Sequence, residues 1–316
     1  METSPQLNVA LTTAVAPIAW GSTYLVTQSW LPPDRPLFSA MVRALPIGLL
    51  LLVRGRELPR GEWWWKAAVL GACNISLFFA LLFLGAYRLP GGLASTTTAI
   101  SPLVVMLLAW PALGERAPLS RVAAGFVGIV GVGLLVLRNP GDVDLIGLGG
   151  ALGAVLASAV GFVLVKRWPP PTDLLTVTSW QLVAGGLLLV PVALVVEGAP
   201  PVLDASAVGA YGYLSLVGTG LAYVCWFGGL GRLPAGSVSL IGLINPVVGT
   251  ALGVWFMQET FGLAQAVGMV LVLGGVLAGQ PVLAAHLAAL RRRMGRHDAR
   301  CAHGSPPPLP GGLTPR

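Results

Sequence analysis

The sequence predicts an all-α polytopic membrane protein with ten transmembrane helices arranged as two inverted five-helix repeats. Three observations carry this. First, the chain is apolar: 55% of its 316 residues are hydrophobic, 10% are charged, and mean hydropathy is +0.80. A soluble domain carries about a quarter charged residues. Second, the few charges cluster between apolar stretches of about 20 residues, the length that crosses a bilayer as a helix. Third, residues 88–116 (RLPGGLASTTTAISPLVVMLLAWPALGER) recur as 232–260 (RLPAGSVSLIGLINPVVGTALGVWFMQET), with ten of 29 positions identical at an offset of 144. Self-similarity of this kind means that one structural unit has been written twice.

The apolar stretches run over about 8–28, 36–53, 67–86, 91–113, 118–137, 145–165, 174–196, 207–229, 234–256 and 262–283. The first follows METSPQLN, which lacks the basic n-region of a cleaved signal, so it is expected to stay as a helix. The second contains Arg43. The third follows a Trp63-Trp64-Trp65 run, a typical membrane-interface cluster. The fourth and ninth open on Arg-Leu-Pro (88–90 and 232–234), carry Pro102 and Pro246, and end at Glu115 and Glu259. The fifth and tenth hold glycine stripes, Gly125, Gly128, Gly131 and Gly133 in one and Gly268, Gly274 and Gly275 in the other, which let helices approach closely. The remaining residues, 284–316, form a basic tail with SPPPLPGG in it that reads as disordered.

Basic residues fix the expected orientation. With the N-terminus inside, the inner loops and the tail hold 15 of the 19 Lys and Arg residues, and the outer loops hold three, Arg35, Arg88 and Arg138. Such asymmetry places both termini in the cytoplasm. The net charge of +7 is then topological, and no basic face remains to bind nucleic acid. Because five is odd, the second unit must enter the membrane from the opposite side. Earlier segments also align: Trp30 with Trp168, Gly48 with Gly186, and Arg43 with Gln181. The repeats therefore cover 8–137 and 145–283. Inverted repeats are the architecture of alternating access.

WGSTYLV at 20–26, the following Pro32-Pro33, Arg43, the paired RLP-G helix openings and the two Pro-centred helices ending in Glu resemble the EamA-type family of the drug/metabolite transporter superfamily. The resemblance implies two five-helix repeats, cytoplasmic termini, location in the cell (plasma or inner) membrane, and export of amino acids, other metabolites or drugs. A Lys or Arg that follows the WGS motif in many members is replaced here by Gln28.

Candidate pathway residues fall into three groups. Arg43 is the one charge deep in an apolar span, where insertion costs about 2.5–3.5 kcal/mol unless a partner or wet cavity receives it. It is either an anion contact or a structural anchor, and Gln181 is its repeat mate. Around Pro102 and Pro246 lie Ser95, Thr98 and Asn245, polar groups beside proline-bent helices at matching depth. Trp20 and Tyr24 share a helix face, and Tyr223, Trp226 and the polar Asn74 also fall within spans. Glu115 and Glu259, at helix ends, are the candidate gating or coupling groups.

No Asp, Glu or His lies mid-span, and no GxxxxGK[ST] nucleotide loop or metal-ligand spacing occurs, so no cofactor and no metal is expected. Cys73, Cys225 and Cys301 make no disulfide framework. The expected partners are a small-molecule substrate and the lipid bilayer; an oligomer is possible but not indicated. A passive facilitator or channel also fits the missing coupling groups. A membrane enzyme acting on lipid-linked substrates would need paired carboxylates or a nucleophile with its base, and neither is visible.

Overall fold

The computed structural model describes residues 5–88, 97–136, 144–256 and 261–281, and every regular element among them is helical. Helix α1 (Pro5–Gly21) continues after a turn at Ser22 as α2 (Thr23–Trp30). Helix α3 (Pro36–Gly55) opens on a proline, whose fixed φ suits a first turn, and stops at Arg56 in the left-handed region. Helices α4 (Trp63–Gly71) and α5 (Leu77–Arg88) are joined by a π-helical segment, Ala72–Ser76. Then come α6 (Ser101–Leu113), ended by Gly114 at φ +71°, and α7 (Leu119–Val136).

The second half repeats the order. Helix α8 is Leu145–Arg167 and α9 is Leu174–Glu197. Helices α10 (Ala205–Ser215) and α11 (Ala222–Leu230) flank a second π segment, Leu216–Leu221. Helices α12 (Ala235–Ile241), α13 (Ile244–Phe256) and α14 (Leu263–Ala278) complete it. Asp144, Asp173 and Asp204 cap α8, α9 and α10 by accepting first-turn amide protons. Those bonds stabilise the ionised form and hold all three carboxyls below the usual range. The leading partner is the Gly147 amide for Asp144, the Thr176 hydroxyl for Asp173 and the Ala207 amide for Asp204.

Among the described residues, seven helical stretches are long and apolar enough to cross a membrane: Pro5–Thr27, Pro36–Gly55, Trp63–Leu82, Leu145–Arg167, Leu174–Glu197, Ala205–Leu230 and Ala235–Phe256. The other three expected spans hold shorter apolar helices, Ser101–Leu113, Leu119–Leu135 and Leu263–Ala278. A 13-residue helix is about 20 Å long, short of the roughly 30 Å hydrocarbon core. The expected stretches 91–113, 118–137 and 262–283 each run into residues outside those described.

Close packing falls chiefly between the halves. Helices α3 and α9 cross at Gly48 and Gly186, where an added Cβ would meet Leu182 at 2.9 Å and Leu45 at 2.8 Å respectively. They run antiparallel: Glu197, ending α9, accepts the Leu37 and Phe38 amides at the start of α3, while Trp180 Nε1, early in α9, donates to the Glu57 carbonyl beyond the end of α3. Helix α5 meets α8 at Gly85 and Ala151, and the repeat-related helices α11 and α1 meet at Gly229 and Thr13. Helices α7 and α14 touch at Gly131 and Gly268, and again at the equivalent Gly275 and Ala124. Each contact thus has a counterpart one repeat away. The main buried core among the described residues joins side chains from both halves, including Phe79, Leu182, Trp226 and Leu240.

Candidate functional site

The two π segments lie 144 residues apart, at the same place in the two copies of the motif's preceding helix. A π turn breaks the i→i−4 ladder and frees a carbonyl inside a helix. Side chains from the opposite half claim these oxygens. The Gly218 carbonyl accepts Trp20 Nε1 at 3.0 Å and Arg43 Nη2 at 2.9 Å, and Arg43 Nε donates to Thr219 Oγ1 at 3.0 Å. The Arg43 guanidinium carbon lies 4.9 Å from the centre of the Phe79 ring, a cation–π contact.

The mirror arrangement sits on the first π segment. The Asn74 carbonyl accepts the Tyr223 hydroxyl at 3.0 Å, and Asn74 Nδ2 donates to Gln181 Oε1 at 3.1 Å. Arg43 and Gln181 are repeat mates, as are Asn74 and Gly218. The second helix of each half therefore holds the third helix of the other. Gly161 packs so tightly on Asn74 that an added Cβ would fall on its side chain.

An aromatic group adjoins this crossing. Trp20 lies 5.6 Å from Tyr223 and 5.2 Å from Trp226, Phe162 lies 5.4 Å from Trp226, and Tyr223 lies 5.3 Å from Phe227, measured between ring centres. Trp20 is half-buried, whereas Trp226 is 2% exposed and its Nε1 has no hydrogen-bond partner among the described residues. An orphaned buried donor costs about 1–3 kcal/mol. The Thr23 hydroxyl is in the same position.

The proline-containing helices differ from the sequence expectation in one respect. They are not bent at the prolines but interrupted just before them, by turns at 99–100 and 242–243. Ile100 N bonds Thr97 O, and Leu243 N bonds Leu240 O. Pro102 is the second residue of α6 and Pro246 the third of α13, in first turns where the missing N–H has no intrahelical partner to lose. Gly242 lies against the Trp226 ring, with Cη2 3.2 Å from where its Cβ would be. Asn245 and Thr98 are half-buried.

Glu115, in the turn after α6, bridges the halves at one end. Its Oε1 pairs with Lys166 Nζ at 2.6 Å and its Oε2 accepts the Ala235 amide that opens α12 at 2.8 Å; Lys166 also donates to the Leu233 carbonyl. Ser95 and Glu259 lie outside the described residues, and the side chain of Tyr24 does too, although its backbone belongs to α2.

Sequence reasoning missed Phe162, Thr219 and Lys166 as site residues. Phe162 sits in a uniformly apolar helix that offers no signal, and Lys166 reads as one more cytoplasmic loop charge. The π turns left a trace: Asn74 and Gly218-Thr219 are polar or small residues in otherwise apolar helices.

These features define a multi-pass helical membrane protein made of one unit used twice. The family profile described as EamA-like transporter matches the chain twice, at residues 7–137 and 145–278, and the chain belongs to that family. Protein PecM of Dickeya dadantii is 38% identical over 269 residues, 84% of this chain and 90% of the relative. A WAT1-related chloroplastic protein of Arabidopsis thaliana is 28% identical, over 80% of this chain and 65% of the relative. The uncharacterized transporter YvbV of Bacillus subtilis is 26% identical over 87% and 92%. A protein of known crystal structure shares the fold with a TM-score of 0.77, over 89% of this chain and 98% of its own, at 19% identity. The family is one of transporters and the Bacillus subtilis relative carries that name, which sets this chain in the class of membrane transporters.

Proposed function

We propose that this transporter exports small metabolites by alternating access between two inverted repeats, 8–137 and 145–283, with both termini and the basic tail 284–316 in the cytoplasm of a cell membrane. The observation that carries this reading is the crossed pair of helix-2 to helix-3 anchors, Arg43 on Gly218 and Gln181 on Asn74. Two halves that hold each other through equivalent contacts can exchange conformations, and the exchange turns a site from one face to the other. The antiparallel course of α3 and α9 supports the inversion. In the proposed orientation the Glu115–Lys166 pair lies at the cytoplasmic end and acts as a latch, tying α6 to α8 and α12. Trp20, Trp226, Asn245 and Thr98 border the central site, and the interrupted helices before Pro102 and Pro246 supply the moving walls.

Overexpression followed by a resistance screen against toxic amino acids, analogues and dyes tests this, with labelled hits then assayed in proteoliposomes. Saturable movement of a hit that is slowed by Glu115→Gln is the expected result. Absence of movement for every hit in sealed, folded preparations counts against export.

A further inference from the structure

We infer that the groove between the start of α3 and the end of α9 binds one phospholipid, with its phosphate on Arg35 and an acyl chain lying along the two helices. The groove has a volume of about 310 Å³. Phe38, Met41 and Leu45 line it from α3, spaced three and four residues apart on one helix face, and Val190 and Leu194 line it from α9. The stretch from Phe38 to Leu45 is about 10 Å of helix, roughly two-thirds of the hydrocarbon depth of one leaflet. Leu194 is 50% exposed, so the groove opens sideways to the bilayer and not into the buried core. Arg35, the residue before α3, and Glu197, the last residue of α9, line its polar end. Both helices are long enough to cross a membrane, so this end falls at the headgroups.

Arg35 Nη1 donates to the Glu197 and Ala199 carbonyls, which pins the side chain at the mouth of the groove. Its Nε and Nη2 make no hydrogen bond, and its guanidinium no ion pair, among the described residues. These two nitrogens form one edge of the planar guanidinium, a fork that fits two oxygens of a phosphate. The Glu197 carboxylate is turned to α3 instead. Its oxygens accept the Leu37 and Phe38 amides at 2.5 and 2.8 Å, so the positive end of that helix is already occupied. An anchored cation with a free fork, set at headgroup depth above an apolar slot, complements a phospholipid in both charge and polarity. A neutral glyceride lacks the charge, and a soluble anion lacks the chain.

Native mass spectrometry of the full chain in detergent, titrated with dioleoylphosphatidylglycerol, tests this. One saturable lipid is expected. Dioleoylglycerol, with the same chains and no phosphate, should bind more weakly by about tenfold. Arg35→Gln should weaken phosphatidylglycerol by about two- to tenfold. Met41→Trp fills the slot, leaves Arg35 in place and should cause a similar loss, and it decides the matter if Arg35→Gln lowers the folded yield. Arg54→Gln, in the last turn of α3 at its other end, is the control and should change nothing. Equal losses in Arg54→Gln and Arg35→Gln would mean attraction to a charged surface alone and would overturn the inference. So would dioleoylglycerol bound as tightly as phosphatidylglycerol, oleate displacing the phospholipid at equal concentration, unchanged binding in either folded groove variant, or no saturable lipid at all.

Discussion

Arg43 occupies the position of Gln181 in the other repeat, and both reach across to the opposite half's third helix. Arg43 is 6% exposed, and its guanidinium meets a carbonyl, a hydroxyl and an aromatic face. Hydrogen bonds from a charged donor contribute about 1.5–3 kcal/mol each, so this side chain is worth more as an anchor than a neutral one. Arg43→Gln keeps one donor for Gly218 and gives up the second bond and the ring contact. It should reach the membrane and unfold at a lower temperature, with a cost of about 1–3 kcal/mol. Arg43→Leu should be less stable again. Thermal unfolding in detergent ranks the two; a Gln variant as stable as the parent but inactive in transport would return Arg43 to the role of substrate contact. The sequence makes the Arg43–Gln181 equivalence legible through the repeat. It hides what they hold, because the acceptor at Gly218 is a backbone oxygen released by a π turn, and residue type does not spell that.

At the scale of helices, the glycine stripes separate into contacts and bystanders. A Cβ on Gly268 would sit 2.6 Å from the Gly131 carbonyl oxygen and 2.8 Å from the Leu135 amide nitrogen, both backbone atoms that cannot swing aside. Gly149 and Gly274 have nothing within 4 Å of the same point. Gly268→Ala should therefore push α7 and α14 apart and cost about 1–3 kcal/mol by overpacking. Gly149→Ala and Gly274→Ala should be neutral or slightly stabilising, since alanine favours the helix. Melting curves for the three single variants check this, and equal losses in all three would contradict it. From sequence alone Gly268, Gly274 and Gly275 read as one stripe; the difference is set by which face meets a neighbour. The interruptions before Pro102 and Pro246 were half-legible. Proline signals a break, but a proline does not say whether its helix bends at it or restarts around it.

For the whole molecule, the fold class was the most legible feature, because composition, span length and repeat all point the same way. The helix count is less direct: among the described residues seven long spans are accompanied by three short apolar helices at the remaining expected places. The 15-to-3 distribution of basic residues predicts that reporters fused at Pro5 and at Gly295 both report the cytoplasm. Opposite reports would remove the inverted arrangement, since an odd shift in the helix number reverses the second half. Alternation itself is tested most directly by sided labelling. Asn245→Cys, in a chain lacking Cys73, Cys225 and Cys301, is exposed to a membrane-impermeant thiol reagent in right-side-out and in inverted vesicles. The account predicts reaction from both faces, with Glu115→Lys, which repels Lys166, raising the rate from the cytoplasmic face and lowering it from the other. Reaction from one face only, unchanged by Glu115→Lys, would contradict it.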